Sequence, residues 1–234
     1  MKNKQIDRKI YVIIPAYNEE KSIAKVINEV PKNLVTEIIV GNNNSKDKTA
    51  KNAENAGATV VEAPIAGYGN ACLKGIEYLK DKAQAEDIIV FLDGDYSDYP
   101  EEITNIIAPI WADEADLVIG SRALGNKEKG SMTLPQEFGN LLATKLIKLF
   151  YKVSFTDLGP FRALTWESLS MINMQDTTYG WTVEMQVKAA KLHLRCAEVP
   201  VKYRKRIGVS KVSGTLKGVV LAGYKIIWTI FKNL

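Results

Sequence analysis

The stretch IYVIIPAYNEEKSIAKVINEV, residues 10–30, decides the fold. Residues 10–14 form an apolar run without alternation, closed by Pro15. From residue 20 to residue 30 the spacing changes, so that Ile23, Val26, Ile27 and Val30 fall on one helical face. An unbroken apolar run marks a strand covered on both faces, and such a strand followed by an amphipathic helix is half of a βαβ unit. The same pattern recurs downstream. Residues 37–40 predict a second strand, with a polar loop and a helix over 49–56. Residues 59–62 predict a third strand, followed by a helix over 70–80. Residues 87–92 and 116–119 read as two more buried strands. They flank a helix that begins near Pro100, with Glu101 and Glu102 in its first turn, where carboxylates suit the helix dipole. The expectation is an α/β fold, a mostly parallel sheet flanked by helices. Loops after strands one, two, four and five should line one cleft at the carboxyl ends of the strands.

The second half is less regular. It predicts an amphipathic helix over 138–151, a loop over 156–162, a helix over 183–191, a strand over 197–203 and an apolar helix over 215–231. No repeat or linker-like stretch interrupts the 234 residues. One domain is therefore expected over 1–234, with a regular half to residue 122 and a less regular half from 123. With 46% hydrophobic residues the chain can bury a full core, and a net charge of +4 is too mild to predict a nucleic-acid partner. Cys72, Cys196 and the single histidine, His193, form neither a disulfide framework nor a zinc pattern. The polar N-terminus lacks the apolar core of a secretory signal, so a reducing cytoplasm is the expected compartment.

Asp93 and Asp95 follow the apolar run of the fourth strand. Two carboxylates one residue apart at a strand end suit Mg²⁺ or Mn²⁺ bridging a diphosphate; an isolated Asp-Gly-Asp is also an ordinary acidic turn. The surrounding segments bear on that choice. Pro15-Ala16-Tyr17-Asn18-Glu19-Glu20, Asn43-Asn44-Ser45-Lys46-Asp47-Lys48-Thr49 and Phe91-Leu92-Asp93-Gly94-Asp95 resemble, in order and spacing, the family 2 glycosyltransferases of GT-A fold. Three further segments are similar to the branch of dolichyl-phosphate mannose synthase and bacterial polyprenyl-phosphate glycosyltransferases. They are Gly120-Ser121-Arg122, Thr156-Asp157-Leu158-Gly159-Pro160-Phe161-Arg162, and Glu198-Val199-Pro200-Val201 leading to Gly208-Val209-Ser210-Lys211.

The resemblance implies an inverting, metal-dependent transfer of a hexose from a nucleoside diphosphate sugar. Asp93 and Asp95 would hold the metal, and Gly94 would lie against the donor. Pro15, Tyr17 and Glu19 would line the nucleoside pocket, with Asn42 and Asp47 approaching the base. Asn42 stands where many members carry an aspartate, which puts base preference in question because an amide adds donors to the acceptor. The turn Gly67-Tyr68-Gly69-Asn70 opens a helix and would let main chain approach the nucleotide at Gly69; a plain loop-to-helix junction reads the same way. Arg122 and Arg162 fall inside matched segments, and Arg204, Lys205, Arg206 and Lys211 follow, all candidates for phosphate. Asp157 has three readings: general base toward a hydroxyl acceptor, orienter of Arg162 where the acceptor brings its own phosphate, or turn cap. Glu184 lies in a segment similar to the acceptor side of the family, whereas His193, Trp166, Trp181 and Trp228 read as packing residues.

The expected acceptor is a polyprenyl phosphate at the inner face of the cell membrane. The alternatives are a soluble or glycan hydroxyl, and a nucleotide-sugar-binding protein without turnover. Lys225 interrupts the apolar C-terminal stretch, which falls short of a span, so it reads as a helix lying at a membrane interface or packed on the sheet. Residues 141–151, with Lys145 and Lys148, read the same way.

Overall fold

The computed structural model describes residues 8–208 and 216–234. Seven strands form one sheet: β1 (Ile10–Ala16), β2 (Glu37–Asn42), β3 (Thr59–Glu62), β4 (Ile88–Phe91), β5 (Leu117–Ser121), β6 (Arg162–Thr165) and β7 (Cys196–Pro200), in the order β3-β2-β1-β4-β6-β5-β7. All pairings are parallel except those of β6, which runs antiparallel between β4 and β5. The α-helices are α1 (Ile23–Glu29), α2 (Thr49–Asn55), α3 (Tyr68–Leu79), α4 (Ile103–Trp111), α5 (Leu134–Tyr151), α6 (Trp166–Ile172), α7 (Trp181–Lys191) and α8 (Leu216–Lys232). The expected α/β layering is what the chain adopts.

The reason lies in the strand pattern. Along β1, Ile10, Val12 and Ile14 point into a core shared with α1, α2 and α4, while Tyr11 and Ile13 point into a second core shared with α3, α5, α6 and α7. Each fully buried aliphatic side chain contributes about 1.5–3 kcal/mol relative to exposure, and neither face can be left to solvent. A three-residue 3-10 turn at Pro100–Glu102 leads into α4. A reciprocal cap, Thr133 with Gln136, starts α5, and Lys152 in the left-handed conformation (φ 62°) ends it.

β6 and α6 depart from the expectation of a loop followed by irregular chain. Arg162 opens the strand and hides it from a hydrophobicity reading, yet it pairs with Phe91 on one side and Ile119 on the other. α5 begins earlier than expected, at Leu134, and α8 runs to Lys232. No helix among the described residues is long and apolar enough to cross a membrane.

The chain leaves β1 toward β2 and β3, then returns to place β4 on the other side of β1. This reversal puts the carboxyl ends of β1 and β4 side by side with their loops diverging, the position where open α/β sheets take ligands.

Candidate active site

A cleft of about 600 Å³ opens at that switch point. Pro15, Tyr17 and Glu19 line it from the end of β1, Asn43 from β2, Gly67 and Tyr68 from the start of α3, Asp93, Gly94 and Asp95 from β4, and Arg122 from β5. Arg206 and Tyr203 close one side, and the far end runs between Gly139 of α5 and Ala222, Gly223 and Ile226 of α8.

The first two loops are latched to each other. Asn18, in a left-handed conformation (φ 53°), donates its amide to Ser45 Oγ at 3.0 Å and accepts from the Lys46 amide at 2.8 Å. Asp47 accepts from the amides of Glu20 and Thr49 at 3.2 and 3.0 Å, and from the Thr49 hydroxyl. Burial works against its charge, but these bonds outweigh burial and hold the carboxyl below its usual value. Asp47 thus fixes the loops after β1 and β2 to each other without facing the cleft.

Asn42 is also not where the sequence reading put it. Its Nδ2 donates to both oxygens of Glu62 at 2.9 Å, which turns the amide toward β3. Successive residues at a strand end point to opposite sides, so it is Asn43 that faces the cleft, its Oδ1 accepting from the Gly67 amide at 3.1 Å. The run Asn42-Asn43-Asn44 offered no composition signal to choose between neighbours; only the register of β2 does.

Gly69 corrects a second expectation. A Cβ there would lie 2.0 Å from the Asp176 carbonyl oxygen, and one on Gly67 2.1 Å from that of Thr177. The glycines admit the 176–177 main chain, which accepts from the Asn70 amide at 3.1 Å. Between them Tyr68 reaches into the cleft and donates its hydroxyl to Asp93 Oδ1 at 3.0 Å.

Asp93 and Asp95 sit at the end of β4 as expected. Asp95 Oδ1 accepts from the Ser97 amide at 2.9 Å, and Oδ2 pairs with Arg206 Nη1 at 2.7 Å. Burial, then the Asp95 charge, pushes the Asp93 carboxyl up to about 7, with Arg206 and Tyr68 pulling the other way. The buried Asp98 behind them is raised for the same reasons, burial first and then both aspartates. Three carboxylates crowded around one main-chain turn leave an excess of negative charge that a cation relieves. Among the described residues no set of three or more candidate side chains could enclose a metal alone. Two carboxylates facing an open cleft instead match a hard ion whose remaining ligands are phosphate and water oxygens. The residues fit Mg²⁺ or Mn²⁺.

Asp157 and Arg122 form one unit. Asp157, 1% exposed, accepts from Arg122 N and Nε at 2.7 and 2.8 Å through Oδ2, and from Nη2 at 2.7 Å through Oδ1. Glu198 in turn accepts from the amides of Thr156 and Asp157, and Gln186 donates to the Asp157 carbonyl at 3.0 Å. Both carboxylate oxygens are committed to Arg122, whose guanidinium also lies 5.0 Å from the Tyr203 ring centroid. The expected orientation of Arg162 by Asp157 is therefore replaced by orientation of Arg122. Arg162 is fully buried and donates to the carbonyls of Gly159, Leu158 and Thr182. Burial lowers its pKa to about 10. It pins the loop before β6 from behind and does not line the cleft.

Among the remaining cations, Arg204 stacks on Tyr96 and Tyr99 and pairs with Glu29 at 2.6 Å, away from the cleft, while Arg206 enters it. Lys211 lies outside the described residues. Glu184 is buried and accepts from the amides of Gln175 and Asp176, which makes it a brace of the 175–180 loop. Asn43, Tyr68 and Tyr203 are among the cleft residues to which the sequence assigned no individual role.

Three comparisons bear on this geometry. In its fold the chain is similar to glucosyl-3-phosphoglycerate synthase from Mycobacterium tuberculosis in complex with Mn²⁺, uridine diphosphate and phosphoglyceric acid. The TM-score is 0.77 at 21% identity, over 97% of this chain and 78% of that one. In sequence it is 30% identical over 216 residues to an uncharacterised glycosyltransferase of the same organism, covering 91% of this chain and 94% of the relative. It is 31% identical over 218 residues to a UDP-N-acetylglucosamine–dolichyl-phosphate N-acetylglucosaminyltransferase of Methanococcus voltae, covering 84% and 86%. The profile of glycosyl transferase family 2 matches residues 11–170, from β1 into α6, and the chain belongs to that family.

Proposed function

We propose that this chain transfers a hexose, with inversion, from a nucleoside diphosphate sugar to a phosphate-bearing acceptor. The observation that carries the reading is the placement of Asp93 and Asp95 beside Arg206 and Arg122 in one cleft, at the sheet's switch point, opposite the nucleoside-side residues Pro15, Tyr17 and Glu19. Asp93 and Asp95 would hold Mg²⁺ or Mn²⁺, which when bound would supply Lewis-acid stabilisation of a departing diphosphate. Arg206 keeps Asp95 aimed, Tyr68 keeps Asp93 aimed, and Asn43 presents an amide to the nucleobase edge.

A soluble acceptor is the better supported choice. Solved structures of like fold include a glucosyl-3-phosphoglycerate synthase with phosphoglyceric acid bound. Polyprenyl phosphate is the second reading, favoured by the dolichyl phosphate in the name of the Methanococcus voltae relative and by the passage of the cleft between α5 and α8. Both acceptors bring phosphate to Arg122. With both oxygens bound to Arg122, Asp157 is not free to take a proton; a polyprenyl phosphate, attacking through an ionised phosphate oxygen, needs no base, whereas a phosphoglycerate attacks through a hydroxyl whose proton another group must accept.

The test is transfer of labelled sugar from UDP-, GDP- and dTDP-sugars with Mn²⁺ to phosphoglycerate, to oligosaccharides and to polyprenyl phosphate. Label in a water-soluble phosphorylated product is the expected result, and label in a solvent-extractable product selects the second reading. Neither transfer nor metal-dependent donor hydrolysis with any donor would reject a catalytic role.

A further inference from the structure

α8 is amphipathic in the wrong sense for a helix facing water. Val220, Leu221, Tyr224, Ile227, Trp228 and Phe231 are exposed and recur at helical spacing, so they form one apolar stripe on the outer side. The inner side carries Ala222, Gly223 and Ile226 against the cleft, and its one lysine, Lys225, is turned inward to Asp176 at 2.9 Å. α5 continues the same surface with exposed Leu134, Phe138, Leu141, Leu149 and Phe150. The two helices are joined edge to face through Phe150 and Phe231, ring centroids 5.2 Å apart, and by the Tyr151 hydroxyl on the Ile230 carbonyl. Ile65, Trp111 and Met171, also exposed, stand singly on other parts of the chain. A joined apolar patch of this kind marks a contact surface, whereas single exposed residues do not.

Charge selects the partner. Lys145, Lys148, Lys152 and Lys232 are exposed on or beside the two helices. Their one acid, Glu137, is neutralised by Lys127, and residues 216–234 contain no aspartate or glutamate. A second copy meeting this face through a two-fold axis would set these lysines against themselves. A lipid headgroup layer bearing negative charge takes the same lysines favourably and accepts Trp228 and Tyr224, whose rings stack, at headgroup depth. We infer that the α5–α8 face is a docking surface for an anionic lipid bilayer, on which the chain lies without crossing it, with the far end of the cleft opening at the lipid boundary. This stands whichever acceptor the cleft takes, since it concerns the outer side of helices whose inner side lines the cleft.

The experiment is flotation of the full-length chain with vesicles of phosphatidylcholine alone or mixed with phosphatidylglycerol. Wild type, the Tyr224→Ser/Trp228→Ser double variant and the Lys145→Glu/Lys148→Glu double variant are compared after thermal melts show that each is folded. Wild type should float with the mixed vesicles, and each double variant should partition about tenfold less. Raised salt and pure phosphatidylcholine should weaken wild-type binding. No flotation of wild type overturns the inference. So does a concentration-dependent dimer that Tyr224→Ser/Trp228→Ser dissolves while no variant differs in flotation. Metal-dependent donor hydrolysis measured on the same samples reads the catalytic proposal separately, because neither double variant alters a residue assigned to the donor site.

Discussion

Replacing Asp157 by asparagine tests whether this carboxylate works through Arg122 or on the substrate. The pair is nearly closed to solvent, with side-chain exposures of 1% for Asp157 and 11% for Arg122. Three Arg122 donors converge on the two oxygens at 2.7–2.8 Å. Asparagine keeps one oxygen, which can retain the bonds from Arg122 N and Nε, but it sets an NH₂ group against Nη2. Breaking a buried pair outright costs about 3–5 kcal/mol, and a single hydrogen bond to a charged group about 1.5–3 kcal/mol. Because asparagine preserves part of the contact, the expected loss is about 3 kcal/mol. For a chain of this length each kcal/mol moves the melting temperature by roughly 2–4 °C, so a fall of about 6–12 °C is expected. Thermal melts and denaturant titrations read the stability, and pH profiles of transfer read the chemistry. As a positioning residue, Asp157 should give a destabilised variant that retains measurable transfer with an unchanged pH profile, and Asp157→Glu should recover little because the loop is fixed by Glu198. A variant that melts like wild type yet has lost transfer together with the acidic limb of the profile would refute this reasoning and make Asp157 the base.

Gly69→Ala should disrupt the junction of α3 with the 176–177 main chain, since its Cβ would fall 2.0 Å from a carbonyl oxygen. Melting should drop and nucleotide affinity with it, whereas Gly139→Ala, in the interior of α5 with open space around it, should raise melting slightly and leave nucleotide affinity unchanged. The Asp93 carboxyl, raised to about 7 by burial and by Asp95, sets a pH dependence. The proton stays on below about pH 7 and must leave when a cation binds. Mn²⁺ affinity should therefore rise about tenfold per pH unit up to that point and level off above it, with protons released on binding at low pH. In the metal-free protein a raised folded-state pKa favours the fold at low pH, and that contribution is lost as pH rises through about 7; melts should show this decline and its recovery with Mn²⁺. Calorimetric Mn²⁺ affinity that is flat between about pH 5 and 8 would remove Asp93 from the site.

The sheet was largely legible because β1, β2, β4 and β5 are buried on both faces, and such strands must be written as unbroken apolar runs. β6 was not legible. A central strand that opens with arginine contradicts every local signal, and its stability depends on carbonyls at Leu158, Gly159 and Thr182, which no spacing rule reveals. The candidate site divides in the same way. Pro15, Tyr17, Glu19, Asp93, Gly94, Asp95, Arg122 and Arg206 meet in one cleft because each follows a strand end or a late loop that returns to the same edge. Asn42, Asp47, Gly69, Asp157 and Arg162 lie just behind it as supports. Motif position places a residue near the site but does not say which way its side chain turns. That choice follows from register for Asn42 and Asn43, and from a partner contributed by a distant segment for Asp157 and Arg162.

In the proposed function Asp93 and Asp95 bind the donor through a divalent cation. The most direct measurement is calorimetric titration of UDP-, GDP- and dTDP-sugars into wild type and Asp95→Asn, with Mn²⁺ and with chelator. Tight binding of one donor class to wild type is expected only when Mn²⁺ is present, with a loss of that metal-dependent increment in Asp95→Asn while the fold, read by melting, is kept. Equal affinity with and without Mn²⁺, or an Asp95→Asn protein that binds donor with an undiminished Mn²⁺ dependence, would contradict it.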